Sequence, residues 1–180
     1  LARSANTGLA DGKLIPEVLI IGLKLTAKAT EIPSEVIELI AGQRKSGIVF
    51  ACVREVPFEG RTREECAFAV RRAQPGRAGH TLIYHVYAGD WQPAGECQLE
   101  LTGSTIDELW ASLCSQAILG TTDFENLDAR IVQHGEIARL EADVDKLTRD
   151  HPRAKNPAQR NEIYAKLHTA KTQLAPLREV

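Results

Sequence analysis

What the chain lacks narrows its class before any motif is read. Its 180 residues contain no methionine, where ordinary composition supplies roughly three or four, and the first residue is Leu1. The expectation is that the natural N-terminus lies outside this sequence, which an intact mass would check. No uncharged apolar run approaches the roughly 18 to 20 residues that span a bilayer, and Leu1 to Gly12 has no signal-peptide core. A soluble, cytoplasmic chain without membrane contact is therefore expected. Neither sign of charge dominates: 22 Lys and Arg stand against 24 Asp and Glu, for a net charge of −2. Such a balance gives no global attraction to nucleic acid or anionic lipid, so any basic surface has to be local. With 43% hydrophobic and 26% charged residues, the composition is that of an ordinary globular chain and excludes disorder, collagen and a disulfide miniprotein.

Motifs of catalysis are missing as well. The four cysteines, Cys52, Cys66, Cys97 and Cys114, form no C-x-x-C pair and have no histidine at ligand spacing. They read as free core thiols of a reducing compartment, with no metal and no cofactor implied. There is no G-x-S-x-G elbow and no phosphate-binding P-loop. His80 and His85 fall on opposite faces of one expected strand, and His134, His151 and His168 are dispersed, whereas metal sites need convergent ligands. Glu96 and Glu100, four residues apart on one strand face, would lie about 13 Å from each other, too far to share an ion. Glu64 and Glu65 read as a solvated strand edge.

Periodicity supplies the organisation. Glu17 to Leu25 is apolar at successive positions and reads as a strand covered on both sides. Ile32, Val36, Leu39 and Ile40 recur at helical spacing after Pro33 and Ser34, with Gly42 as a stop, and Gly47 to Arg54 returns as a buried strand. These three segments make one right-handed crossover. Cys66 to Arg71, Thr81 to Tyr87 and Glu96 to Leu101, separated by Pro- and Gly-rich turns, read as an antiparallel meander. Thr105 and Glu108 form a capping box ahead of Ile106, Leu109, Trp110, Leu113 and Ala117.

Beyond Gly120 the chain becomes helical and charged. Ile137, Leu140, Val144 and Leu147 alternate steps of three and four, while Leu127, Ile131, His134 and Ala138 keep a shifted register, so a change in winding is expected near Gly135. Pro152 ends this helix. Asn156 caps a second one, with Pro157 at its first position and Ile163, Leu167, Ala170, Leu174 and Leu177 along its seam. Matched seams joined by a short loop predict an antiparallel hairpin. The fold expected is α+β: a mixed five-stranded sheet with two packed helices over residues 1–120, then an antiparallel coiled-coil hairpin over residues 121–180.

Three stretches, the apolar strand followed by helix and GIVFACVRE, the strand ending AFAVRR, and the closing LEADVDKLTRDHPRAKNPAQRNEIYAKLHTAKTQL, resemble a bacterial family of unknown function, DUF4391. Members commonly end in a charged hairpin with a Lys-, Arg- and Asn-rich turn, and Arg149 to Asn161 matches that character, although Pro152 and Pro157 depart from an unbroken polar run. The resemblance implies a setting beside DNA methyltransferases and helicases in restriction-type gene clusters. It carries no catalytic residues.

Charge on the hairpin is sorted by position. Between Asp123 and Asp145 seven acidic residues face two basic ones; between Lys146 and Lys171 the ratio is reversed. Macrodipole compensation accounts for such sorting without any ligand. A contact with nucleic acid through Arg149, Arg153, Lys155 and Arg160 at the turn, or with an acidic protein, is the functional alternative. No aromatic residue is read as interleaving with the basic ones, which argues against a stacking platform for single strands. Arg54, Arg71 and Arg72, at strand ends, form a rival basic set. The reading is a non-catalytic interaction or accessory protein of a bacterial DNA-modification or defence system, with a protein partner, nucleic acid at the tip, and self-association open. The alternatives are a metal-dependent nuclease or other hydrolase, whose carboxylates would meet only in three dimensions, and a structural oligomerisation module.

Overall fold

The computed structural model describes residues 1–26, 28–74 and 82–178. The chain divides into two compact units, Leu1–Leu127 and Asp128–Val180. In the first, a short helix α1 (Ser4–Thr7) precedes β1 (Val18–Lys24), α2 (Ser34–Gly42), β2 (Gly47–Phe58), β3 (Arg61–Ala73), β4 (Tyr84–Ala88), β5 (Gln92–Pro93) and α3 (Ile106–Leu119). The mixed sheet runs β1-β2-β3-β4, with β5 paired to β3. β1 and β2 are parallel, in register from Val18↔Gly47 to Lys24↔Val53, and the remaining pairs are antiparallel.

Period-two alternation divides the sheet between two helices. Ile48, Phe50 and Cys52 of β2 and Ala69 of β3 pack against Ile37 and Ala41 of α2. Val49 and Val70, on the opposite face, are completely buried, and a Cβ added to Gly47 on that side would strike the Trp110 ring of α3. Among the described residues the inner strands β2 and β3 hold the completely buried positions on both faces. β1, expected to be covered on both, is an edge strand: Leu19, Ile21 and Leu23 face α2 while Ile20 is 51% exposed.

Helix α3 begins as the sequence dictates, with the Thr105 hydroxyl accepting from the Glu108 N–H at 3.1 Å. The Glu108 carboxylate turns to the Ser104 N–H, at 2.7 Å, rather than back to Thr105, so the reciprocal half of the box is displaced by one residue. Asp107, in the same first turn, accepts the backbone N–H groups of Lys13, Leu14 and Ile15 at 2.6 to 3.1 Å. That carboxylate ties the segment ahead of β1 to the helix.

The bounds of the later strands differ from expectation as well, β4 running over Tyr84–Ala88. β2 and β3 continue through Pro57 to a two-residue turn at Glu59 and Gly60, both at positive φ, which is the twist a tight hairpin requires. The fifth strand is Gln92–Pro93 rather than Glu96 to Leu101, whose backbone finds side-chain partners instead: the Gln116 amide takes both the N–H and the carbonyl of Glu100, at 2.7 and 2.9 Å. Thr81 and the turn residues Pro75, Gly76 and Gly79 lie outside the described residues.

The second unit contains α4, Leu127–Asp150, and α5, Pro157–Arg178. Leu140, Ala170 and Leu174 are buried together, flanked by Ile137, Val144 and Leu177. Antiparallel order follows from its cross-links: Gln133 of α4 donates to the Leu177 carbonyl at 3.0 Å, and at the other end the His151 and Tyr164 rings lie 6.1 Å apart. α4 continues as α-helix through Gly135. No helix among the described residues is long and apolar enough to cross a membrane.

Candidate nucleic-acid interface

The turn between the two long helices is built by local chemistry. Pro152 cannot supply the N–H that would continue α4, and the chain tightens into a 3-10 turn over His151–Arg153. Ala154 is buried beneath it. Asn156 then caps α5, its side-chain oxygen accepting from the Gln159 N–H at 2.8 Å, while the Gln159 side chain accepts from the Lys155 N–H at 3.0 Å. One orphan donor of the helix start and the N–H just ahead of the cap are thereby satisfied, and the backbone that carries the cations is fixed.

The fold gathers the four predicted contact residues at one end of the hairpin. Arg149 lies in the last turn of α4, Arg153 in the 3-10 turn, Lys155 in the link, and Arg160 in the first turn of α5. All four are exposed. Arg149 makes one bond, from Nε to its own helix carbonyl at Asp145, 3.3 Å away. Among the described residues none of the four has a carboxylate partner, although carboxylates elsewhere in the same unit are engaged. Arg139 bridges Glu136 and Asp143, Lys166 holds Glu162 at 2.7 Å, and Arg178 pairs with Glu141. The Arg139 and Lys166 contacts keep the Glu136 and Glu162 carboxyls below their ordinary values.

The rival basic set is differently placed. Arg54 donates to Glu65 at 2.9 Å and to the Thr30 carbonyl at 2.8 Å, and its guanidinium lies 4.0 Å from the Trp91 ring centre. Arg63 closes on the other Glu65 oxygen. Glu65, read from the sequence as solvated, is only 7% exposed, and the Arg63 and Arg54 bonds hold its carboxyl below the usual range against the cost of burial. Arg71 pairs with Glu38 at 2.7 Å and lies over Tyr84.

Sequence reasoning missed an aromatic element at the tip. Tyr164 is 60% exposed and leans on His151 at an interplanar angle of 54°; the signal available was its position one helical turn beyond Arg160. The remaining histidines are separate: His85 bonds Gln74 at 2.9 Å, His134 and His168 are exposed, and His80 lies outside the described residues. Glu96 ends a 3-10 turn over Ala94–Glu96 and Glu100 lies in the irregular segment after it, so they do not share a strand face. Among the described residues no three His, Cys, Asp or Glu side chains are grouped to hold a metal ion.

No curated protein and no solved structure matches the chain. The family model for the domain of unknown function DUF4391 matches residues 1–174, nearly the whole length, and the chain belongs to that family.

Proposed function

We propose that the protein is a non-catalytic accessory module that contacts nucleic acid through the tip of its helical hairpin. One observation carries the reading: Arg149, Arg153, Lys155 and Arg160 are exposed and without a carboxylate partner among the described residues, in a unit where Arg139 and Arg178 are held by carboxylates. Macrodipole compensation accounts for cations late in α4, but Arg160 lies in the first turn of α5, where a positive charge opposes the dipole. Its position costs helix stability and is compatible with an anionic ligand. Phosphates are suited to these long side chains, which reach outward without disturbing the buried seam. The setting beside DNA-modifying enzymes that the family resemblance implies agrees with such a role.

Binding at the tip is electrostatic and weak, with little sequence preference. Fluorescence anisotropy against salt concentration tests it. Replacing all four cations by Gln lowers affinity and flattens the salt dependence, each lost phosphate contact removing about 0.9 from the slope of log affinity against log salt for B-DNA and about 0.7 for a single strand. Replacing Arg54, Arg71 and Arg72 is the control and leaves that slope unchanged. Loss from the control set alone would move the site to the sheet unit, equal losses would reduce it to diffuse charge, and no binding at low salt would remove the proposal.

A further inference from the structure

We infer that the hairpin tip takes single-stranded nucleic acid, stacking a base on the Tyr164 ring while the surrounding cations hold the adjoining phosphates. The inference rests on the function proposed above and adds a ligand class to it. Cations alone do not distinguish a duplex from a single strand, since both present phosphates. A ring does distinguish them: the bases of a duplex are already stacked and paired, whereas those of a single strand have open faces, which aromatic side chains bind with little regard to sequence.

Three features of the tip supply such a platform. Tyr164 keeps 60% of its surface open, on a helix whose apolar seam at Ile163 and Leu167 is directed elsewhere. Its exposure is therefore not required by packing, and its hydroxyl has no partner among the described residues. The His151 ring lies against it at 6.1 Å and 54°. A tilted neighbour of this kind braces the phenol from one side without covering it as a parallel stack would. Finally, cations flank the ring along both chain directions. Arg160 precedes Tyr164 by one turn, about 5.4 Å along the helix, and Arg153 follows His151 within the 3-10 turn. The nearby carboxylate of Glu162 is engaged by Lys166, which leaves half-buried Asp150 as the other acidic group between Arg149 and Tyr164.

Tyr164 is a weak site by itself, because one ring holds one base and the tip holds few phosphates. It sets preference rather than high affinity. An acidic peptide could satisfy the same cations, but it offers the phenol no planar π-face of its own, so it is the weaker occupant.

The test uses the full chain with a short oligothymidylate, an oligouridylate, and a duplex of equal length, at one low salt concentration. Tyr164→Ala is expected to weaken both single strands about five- to one-hundred-fold and to leave duplex affinity unchanged. Tyr164→Trp restores binding, and the indole emission is quenched when single strand is added. Because the side chain is exposed, unchanged circular dichroism is expected for both variants. If Tyr164→Ala leaves single-strand affinity intact while the fourfold Gln variant abolishes it, stacking is overturned and the basic-tip function stands. If the unmodified chain binds none of the three probes, both readings fall together. Polyglutamate displacing the oligonucleotide as effectively as unlabelled oligonucleotide does would also overturn the inference, in favour of a protein ligand.

Discussion

Three arginines of the sheet unit and those of the hairpin tip have the same chemistry and opposite circumstances. Arg54, Arg63 and Arg71 are each tied to a carboxylate and laid over an aromatic ring at 3.9 to 4.0 Å, so their charge is used within the fold. Arg149, Arg153, Lys155 and Arg160 have a fixed backbone beneath them and no carboxylate partner among the described residues. The difference shows that the location of basic residues is a poor guide to a binding surface until their partners are known. A planar guanidinium that already donates two or three bonds and stacks on a ring would have to give these up before meeting a phosphate.

The two units also differ in how deeply they bury their apolar groups, and the largest expected effect tests that. Phe50 is completely buried between β1, β3 and α2, so Phe50→Ala should cost about 3 to 5 kcal/mol in denaturant unfolding followed by Trp emission. Leu140, 2% exposed in a seam of only two helices, should cost about 2 to 5 kcal/mol as Ala, at the lower end because a seam open on both sides closes more easily over a cavity. Equal losses would contradict this ranking, and a negligible loss at Leu140 would remove the buried seam.

Next in size is the contrast between used and free charge. The fourfold Gln substitution at the tip should change stability by less than about 0.5 kcal/mol, whereas Arg54→Gln should lower it measurably, because Glu65 would keep its burial and lose the partner that also stacks on Trp91. Chemical denaturation of the two variants side by side checks this. Insensitivity of stability to Arg54 would show its charge to be as free as that of the tip.

A smaller effect lies in the acid range. Asp107 is opposed by burial, but three backbone N–H bonds outweigh that cost and hold its carboxyl below the ordinary 3.8. A group with a depressed folded value stabilises the fold fully above its unfolded value and loses that contribution as pH falls through the folded one. Stability should therefore decline below about pH 4 with a component that Asp107→Asn abolishes. An unchanged pH profile in the variant would show the clamp to be energetically idle.

The smallest effect is a rate order among thiols. Burial pushes Cys52 to about 11, and burial together with the neighbouring Cys97 pushes Cys66 to about 12, so few of these sulfurs are thiolate near neutrality. Cys97 is half-buried, its thiol donating to the Cys66 carbonyl at 3.3 Å. It should be labelled first by a maleimide, with Cys52, Cys66 and Cys114 following only on unfolding. Rapid native labelling of several cysteines would contradict the packing described for both faces of the sheet.

Elements specified by short-range chemistry were legible in the sequence. Thr105 before α3, and Pro152, Asn156 and Pro157 between the long helices, mark ends that three or four residues determine, and they lie where expected. Strands depend on what lies beside them. Glu96 to Leu101 alternates as a strand should, yet the matching end of β3 is taken by Gln92 and Pro93, and the segment bonds Gln116 instead. Whether β1 was an edge strand was likewise decided by what pairs beyond it, among the described residues a bridge from Ala2 to Val18, which its own residues do not encode. At the tip the cations could be chosen by position, but their lack of partners and the approach of His151 to Tyr164 arise only when the helices close.

The hairpin of β2 and β3 outruns β1: the parallel pairing ends at Val53, while the antiparallel pairing continues to Phe58↔Arg61. From Arg54 onward, the outer side of β2 therefore has no strand beside it among the described residues. Since the residues flanking a two-residue turn exchange hydrogen bonds, the next pair, Pro57↔Thr62, directs the nitrogen of residue 57 outward. Proline has no hydrogen there to donate. A ribbon that would otherwise invite a strand from another molecule thus lacks a donor at its most exposed stretch, which protects the chain against edge-to-edge aggregation at high concentration.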